Sequence, residues 1–429
     1  MQASKLWEQA YTLLGGGYFF LALTVPFQYM ELKLSILLIV ATMVVAQIIS
    51  GNKTLIHKSI ILWLLVCVLS GCFFVLLGSV DAHPKSYLYT IMLYIIFPLF
   101  YFPLLIAYSK RSYMVNCCKL IIYSSFFILL YVTLFFLGTI GIISFHVELA
   151  GDNNAAFQDG VAVVKLGVVS TLVYLIPFLI ALLLNYRLGV NKLTSKLVVL
   201  LALVAAVIAA LLSGRRAILL MLFLSPVLIL LFNLFLPSKK RILMIDAVTS
   251  IFLVAAILLV GVFVLQETLD FNIYGVFERL LMVLGLNGGH FGGGERSEQV
   301  SLFLFHIDKA PFFGVGHGVA AEIIRDSDKP WRYEMSYLAM LFHTGIVGTM
   351  IYASAIFWIY FKGIQVIRKG GADASFMIAM LVGLSSMLLS YSTNPYLDAF
   401  DALWVIFLPI AFINTLFLDK KEYHDTVLR

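Results

Sequence analysis

The chain has 429 residues, 62% hydrophobic and 12% charged, with a mean hydropathy of +1.01. Soluble domains carry about 25% charged residues, so a water-soluble globule is excluded. The formal net charge of +6 reports on membrane topology and gives no argument for nucleic acid as a partner.

Twelve apolar runs, each long enough to span a bilayer, follow one another along the chain. They cover roughly 8–28, 33–50, 60–80, 87–108, 120–145, 166–185, 197–213, 217–237, 247–266, 336–361, 375–391 and 402–418. A charged stretch from Lys5 to Glu8 precedes the first run and no small-residue cleavage pattern follows it. That run is therefore expected to be a retained helix. Lysine and arginine collect in alternate connections, from Lys53 and Lys58 through Lys239, Lys240 and Arg241 to Lys420, Lys421 and Arg429. With Lys5, one side holds 18 of the 29 basic residues and 6 of the 23 acidic ones. The positive-inside rule makes that side cytoplasmic, so both termini are expected in the cytoplasm of a bacterium and the other loops outside its inner membrane.

The expected fold class is an all-α polytopic membrane protein of about twelve helices. Residues 1–266 carry helices one to nine, and 267–335 form a large periplasmic loop with short helices. Residues 336–429 carry helices ten to twelve and a cytoplasmic tail. Two outer segments are long enough to fold, His146 to Lys165 and the large loop. A structureless loop of the latter length is unusual, and long loops are commonly functional. Its apolar stretches Val276–Leu286 and Val300–Ile307 read as amphipathic helices at the membrane surface.

A few residues break the apolar pattern. Arg215 and Arg216 sit in a short outer turn, Ser213-Gly214-Arg215-Arg216-Ala217, on the wrong side for the charge rule. They could snorkel at the interface. Alternatively, two adjacent planar guanidiniums could bracket a pyrophosphate. In the large loop, Gly292-Gly293-Gly294-Glu295-Arg296-Ser297 leads into a charged helix start. Downstream lies Pro311-Phe312-Phe313-Gly314-Val315-Gly316-His317-Gly318, whose glycines permit close backbone approach and could cradle an anion. A plain loop is the competing reading, and no strand-turn-helix context supports dinucleotide binding. Glu334 stands where the loop enters the tenth helix, as a dipole partner or as a general base at the membrane surface. Gly345 and Gly348 are small residues that let another helix approach. Tyr391 to Asp401 could line the acceptor side, but reads better as an ordinary turn.

His290, His306 and His317 lack zinc-site spacing, and His343 reads as a satisfied core residue, so neither metal nor cofactor is expected. Cys67, Cys72, Cys117 and Cys118 all fall in helices or at their cytoplasmic ends and read as small hydrophobes.

Taken together these residues resemble the family of O-antigen polymerases and O-antigen ligases. Ser-Gly-Arg-Arg-Ala resembles the family's S-x-S-R segment, with Arg216 on the matching arginine. Arg296 resembles its second arginine. Glu334 through Gly345 to Gly348 fits the ligase spacing H-[NSQ]-x9-G-x-x-G, with glutamate in place of histidine and Met335 in place of the polar residue. That departure favours a polymerase. The resemblance implies a GT-C-like fold and a metal-independent, inverting transfer between undecaprenyl-pyrophosphate-linked oligosaccharides at the periplasmic face. It makes Glu334, Arg216 and Arg296 catalytic. Arg215, His317, Gly314, Gly316, Tyr337 and Arg332 would bind substrate. Membrane lipid and a chain-length regulator protein would be the other partners. A ligase acting on lipid A core and a lipid-linked sugar transporter are the alternatives. Absence of a repeat between the two halves, and scarce polar residues in mid-helix, argue against the transporter.

Overall fold

A computed structural model describes residues 2–26, 28–50, 56–107, 111–139, 141–144, 154–158, 161–188, 190, 194–213, 215–238, 293–322 and 329–427. The apolar runs are helices. In chain order they are α1 (Gln2–Thr24), α2 (Met30–Ile49), α3 (Lys58–Gly78), α4 (Pro84–Ile91), α5 (Phe97–Ala107), α6 (Arg111–Thr139), α7 (Leu172–Leu184), α8 (Lys196–Ser213) and α9 (Arg216–Asn233). After a gap come α10 (Gly293–Lys309), α11 (Ser336–Ile367), α12 (Ala372–Tyr391) and α13 (Trp404–Val427). Among the described residues, eight helical stretches are long and apolar enough to cross a membrane, with shorter apolar helices at Ala217–Asn233 and Trp404–Phe417. A helix is the form a spanning segment must take, because it satisfies its own backbone in lipid. The expected run at 247–266 and the stretch Val276–Leu286 lie outside the described residues. Val300–Ile307 falls inside α10.

The described chain is the expected all-α membrane fold, with one short hairpin added. The segment ending at Lys165 forms an antiparallel pair, β1 (Asn154–Gln158) and β2 (Val161–Lys165), in the register Asn154↔Lys165 to Gln158↔Val161. The Asp159-Gly160 pair between the strands is a sequence signal for a tight hairpin, and it outweighs the helical character of the rest of the chain locally.

The core centres on α7 and α12. Every residue of α7 from Leu172 to Leu182 is buried, and α12 packs along it so closely that a Cβ on Gly383 would meet the Tyr174 ring at 2.7 Å. The C-terminal end of α1 is closed by side chains from elsewhere. Thr171 donates to the Leu23 carbonyl at 3.0 Å, and the fully buried Lys33 donates to Val25 at 2.7 Å. Those carbonyls have no partner within their own helix, and a lysine there also suits the negative end of the dipole.

Two helices depart from regular geometry, and both departures shape the site. Between α4 and α5 the backbone makes a π turn over Met92–Ile96, closed by the Phe97 N–H on Met92. Pro98 explains its place: it lacks the N–H that would serve the Tyr94 carbonyl in an α-helix. Gly71 of α3 admits this carbonyl, since a Cβ there would lie 2.7 Å from it.

The second departure is in α11, which breaks at Gly345 (φ 59°, ψ −168°). The break orphans the carbonyls of Phe342 and His343 and the N–H groups of Ile346 and Val347. All four find partners in the loop after α10. Val315 and Gly316 donate to Phe342 and His343 at 3.0 and 2.8 Å, while Pro311 and Phe312 accept from Ile346 and Val347 at 2.8 and 3.0 Å. An interrupted helix is tolerated at membrane depth only when such groups are paired.

Candidate functional site

The loop from Pro311 to Gly318 reaches the break because its glycines let backbone touch backbone. Gly314, Gly316 and Gly318 have φ of 62°, 92° and 89°. A Cβ on Gly314 would lie 2.4 Å from the Phe342 carbonyl oxygen, and one on Gly316 would lie 2.0 Å from the Gly78 nitrogen. The expected anion cradle is thereby corrected. The N–H groups of Gly314, Val315, Gly316 and His317 all donate to protein carbonyls, on Ala310, Phe342, His343 and Phe74, and so cannot hold an anion. Gly348 does admit another helix, with Phe74 of α3 on its face, whereas Gly345 admits the loop instead.

His317 is set by this loop into a polar chamber. Its ring stacks on Tyr94 at 3.6 Å and 9°, and Nε2 lies 3.4 Å from the Tyr352 hydroxyl. Burial, with His343 close by, pushes the imidazole well below its ordinary value, so it is neutral and cannot serve as a cation. His343 is indeed a satisfied histidine, with Nε2 3.0 Å from the Val319 carbonyl. It also lines the chamber, together with Tyr89, Trp331, Arg332, Tyr391 and Asp398.

The wall opposite the histidines comes from two loops. Arg332, just before α11, donates to the Pro395 carbonyl at 3.0 Å. This ties the α11 entry to the α12–α13 connection, where Asp398 ends a short 3₁₀ turn, Tyr396–Asp398. The Tyr391 hydroxyl donates to Asp398 Oδ1, and the Tyr89 hydroxyl to its backbone carbonyl. Burial raises the Asp398 carboxyl above the usual range, opposed by the Arg332 charge and the Tyr391 hydrogen bond. Two donors at this wall, Trp331 Nε1 and Arg332 Nε, find no partner among the described residues.

Next to the chamber, which has about 30 Å³ of room, lies an apolar cleft of about 320 Å³ between α3, α5, α11, α12 and α13. Trp63, Leu64, Phe102, Ile356, Ile406 and Phe407 are among its walls, while Leu93, Tyr94, Met340, Tyr391 and Asp398 border both spaces. The site therefore has a greasy slot with a polar head. Such a shape suits a ligand with an apolar tail and a polar end.

The structure brings together only part of the predicted set. Arg332 and His317 line the chamber, and Tyr337 lines the cleft with its hydroxyl donating to Leu388 at 2.7 Å. Arg215 lines neither; its guanidinium donates to the Leu166 carbonyl at 3.2 Å. Arg216 is the first residue of α9 and Arg296 lies in the first turn of α10, but both side chains fall outside the described residues. Glu334 is half-buried, its carbonyl accepting from the Ser336 N–H at 2.9 Å, and it lines neither space.

Sequence reading missed Asp398, Tyr391 and Tyr94. The stretch 391–401 read as an ordinary turn is in fact a wall of the site. An acidic residue just past Asn394-Pro395, between two apolar runs, was the signal available, as was Pro98 four residues after Tyr94. Among the described residues no group of three or more His, Cys, Asp or Glu is placed to share a metal ion. No family model matches the chain, and no curated protein matches it either.

Proposed function

We propose that this chain is a glycosyltransferase of the bacterial inner membrane, a polymerase that joins undecaprenyl-pyrophosphate-linked repeat units of a surface polysaccharide. The single observation that carries this reading is the apolar cleft, which suits a prenyl chain and is bordered by the polar groups of Tyr94, Tyr391 and Asp398. The sequence resemblance supplies the chemistry. In this reading the fold is GT-C-like with twelve spans, the termini are cytoplasmic, and the chamber and large loop face the periplasm.

The acceptor hydroxyl attacks the anomeric carbon of the donor while the bond to pyrophosphate breaks. Pyrophosphate is already a good leaving group, so the main task is to offset its growing negative charge. Arg216 and Arg296 do this in the proposal, with Arg215 and Arg332 as further cations. A carboxylate takes the hydroxyl proton, and Glu334 and Asp398 are the two groups at hand. A ligase fits the same cleft, but the glutamate where ligases carry histidine favours the polymerase. A transporter needs polar groups across the bilayer midplane, whereas the walls of this cleft are mostly apolar.

The test is the length distribution of surface polysaccharide in a deletion strain complemented by wild type, Arg216→Ala or Arg296→Ala. Wild type should restore long chains, and each variant should leave single repeat units despite normal membrane insertion. Long chains from both variants would remove the arginines from the mechanism. Repeat units trapped on the cytoplasmic face of the deletion strain would replace the enzyme by a transporter.

A further inference from the structure

We infer that Asp398 is the proton acceptor for the attacking hydroxyl in the transfer proposed above, on which this inference rests. Position is the first ground. Asp398 is the acidic residue that borders both the apolar cleft and the polar chamber, whereas Glu334 borders neither. A hydroxyl arriving at the mouth of the cleft meets Asp398 where tail space becomes head space.

Its support is the second ground. A proton acceptor has to be held in one orientation by groups that are themselves fixed. Tyr391 fixes Oδ1, Tyr89 fixes the backbone carbonyl of the same residue, and Arg332 pins the connection through Pro395. The charged and titratable groups facing this carboxylate are Arg332 from the α11 entry, Tyr391 from α12, and Tyr89 and Tyr94 from α4 and the π turn.

The environment is the third. Burial raises the carboxyl above its usual range, which makes the carboxylate a stronger base than one in water. The unpartnered donors Trp331 Nε1 and Arg332 Nε stand in the same wall, where sugar oxygens could accept from them.

The step balances as follows. The hydroxyl oxygen bonds to the anomeric carbon, and the bond from that carbon to the pyrophosphate oxygen breaks with its electron pair on the pyrophosphate. The hydroxyl proton moves to the Asp398 carboxylate and later leaves to water.

The experiment uses the full-length protein in lipid nanodiscs with an undecaprenyl-pyrophosphate-linked repeat unit as both donor and acceptor. Rates are measured against pH for wild type, Asp398→Asn, Asp398→Glu, Glu334→Gln and Tyr391→Phe. Asp398→Asn should lower kcat at least ~100-fold, the scale of a lost general base, with KM changed little and partial rescue by Asp398→Glu. Wild type and Glu334→Gln should both lose rate as pH falls, and Asp398→Asn should lack that acid limb. Tyr391→Phe removes a hydrogen bond that favours the charged carboxylate, so its acid limb should move to higher pH. If Asp398→Asn fails to accumulate, Tyr391→Phe decides alone, and an unmoved limb overturns the inference. An active wild type with Asp398→Asn within ~10-fold of it and the acid limb intact ends this inference only. A wild type inert on the lipid-linked substrate ends the transferase reading and this inference with it.

Discussion

The pair α7–α12 and the neighbourhood of α11 are both membrane-like, yet they are built on opposite plans. In the first, two regular helices meet face to face, and Tyr174 closes over Gly383. In the second, a helix is cut at Gly345 and a loop is threaded against the cut, so four orphan backbone groups are paired outside their own helix. The cleft and chamber lie beside the cut helix and touch the sealed pair only at the C-terminal end of α12, through Leu388 and Tyr391. Irregular backbone in a membrane protein is costly unless it is paired, and it tends to mark the place where a cavity is needed.

The largest effect that can break this contrast comes from two glycines on one helix. Gly345 has backbone angles that only glycine adopts readily, at a cost of about 1–3 kcal/mol for other residues. An added Cβ would also lie 2.3 Å from the Phe312 backbone carbon. Gly345→Ala should therefore destabilise by at least about 3 kcal/mol, the angular strain and the clash adding together. Gly363, further along α11, would place its Cβ 2.7 Å from the flexible tip of Leu381. Gly363→Ala should be nearly neutral, because the tip can move and alanine is the better helix former by about 1 kcal/mol. Thermal unfolding in detergent orders the two. Equal losses would show that the break at Gly345 is not held by the loop.

The sealed half was legible in the sequence and the cut half was not, for physical reasons. Hydropathy reports burial in lipid directly, so the runs at 166–185 and 375–391 match α7 and α12 to within a few residues. The run at 336–361 likewise located α11. The break in it depends on a partner loop some thirty residues upstream, and periodicity has no access to such pairing. Gly345 was singled out for closeness to a helix, and the close neighbour proved to be backbone of the loop. The candidate site shows the same limit. His317 stood in the glycine stretch 311–318, whereas Arg332 and Tyr337 entered only through the family resemblance. Asp398 lay in a short connection with an ordinary turn composition, and only burial between Tyr391, Tyr89 and Arg332 makes it unusual.

A smaller effect tests the electrostatics of the chamber. A carboxyl whose folded-state pKa lies above its unfolded value favours the folded state while protonated, and loses that contribution as pH rises through the folded value. Asp398 is raised by burial against the pull of Arg332, so wild-type Tm should decline as pH climbs through its folded pKa. Asp398→Asn cannot ionise and should lack this decline, matching wild type in acid and equalling or exceeding it in alkali. A lower Tm for the variant at alkaline pH would mean that the Arg332 attraction outweighs burial, and the carboxylate would then be a latch.

The smallest effect is expected where α10 meets the same loop. His306 Nε2 and Glu322 Oε2 are 3.1 Å apart, with the glutamate side chain 70% exposed. The hydrogen bond from His306 lowers the Glu322 carboxyl, but an exposed pair of this kind is screened by water and salt. The contact that fixes α10 is apolar. Phe303 is fully buried, with its ring edge-on to Tyr333 at 4.8 Å and 5.4 Å from Phe342 beside the cut in α11. Glu322→Gln should therefore leave Tm unchanged at neutral pH, within the scatter of repeated scans. A clear drop would move the anchor of α10 from the aromatic cluster to the ion pair, and the loop that serves Gly345 would then depend on a charge rather than on packing.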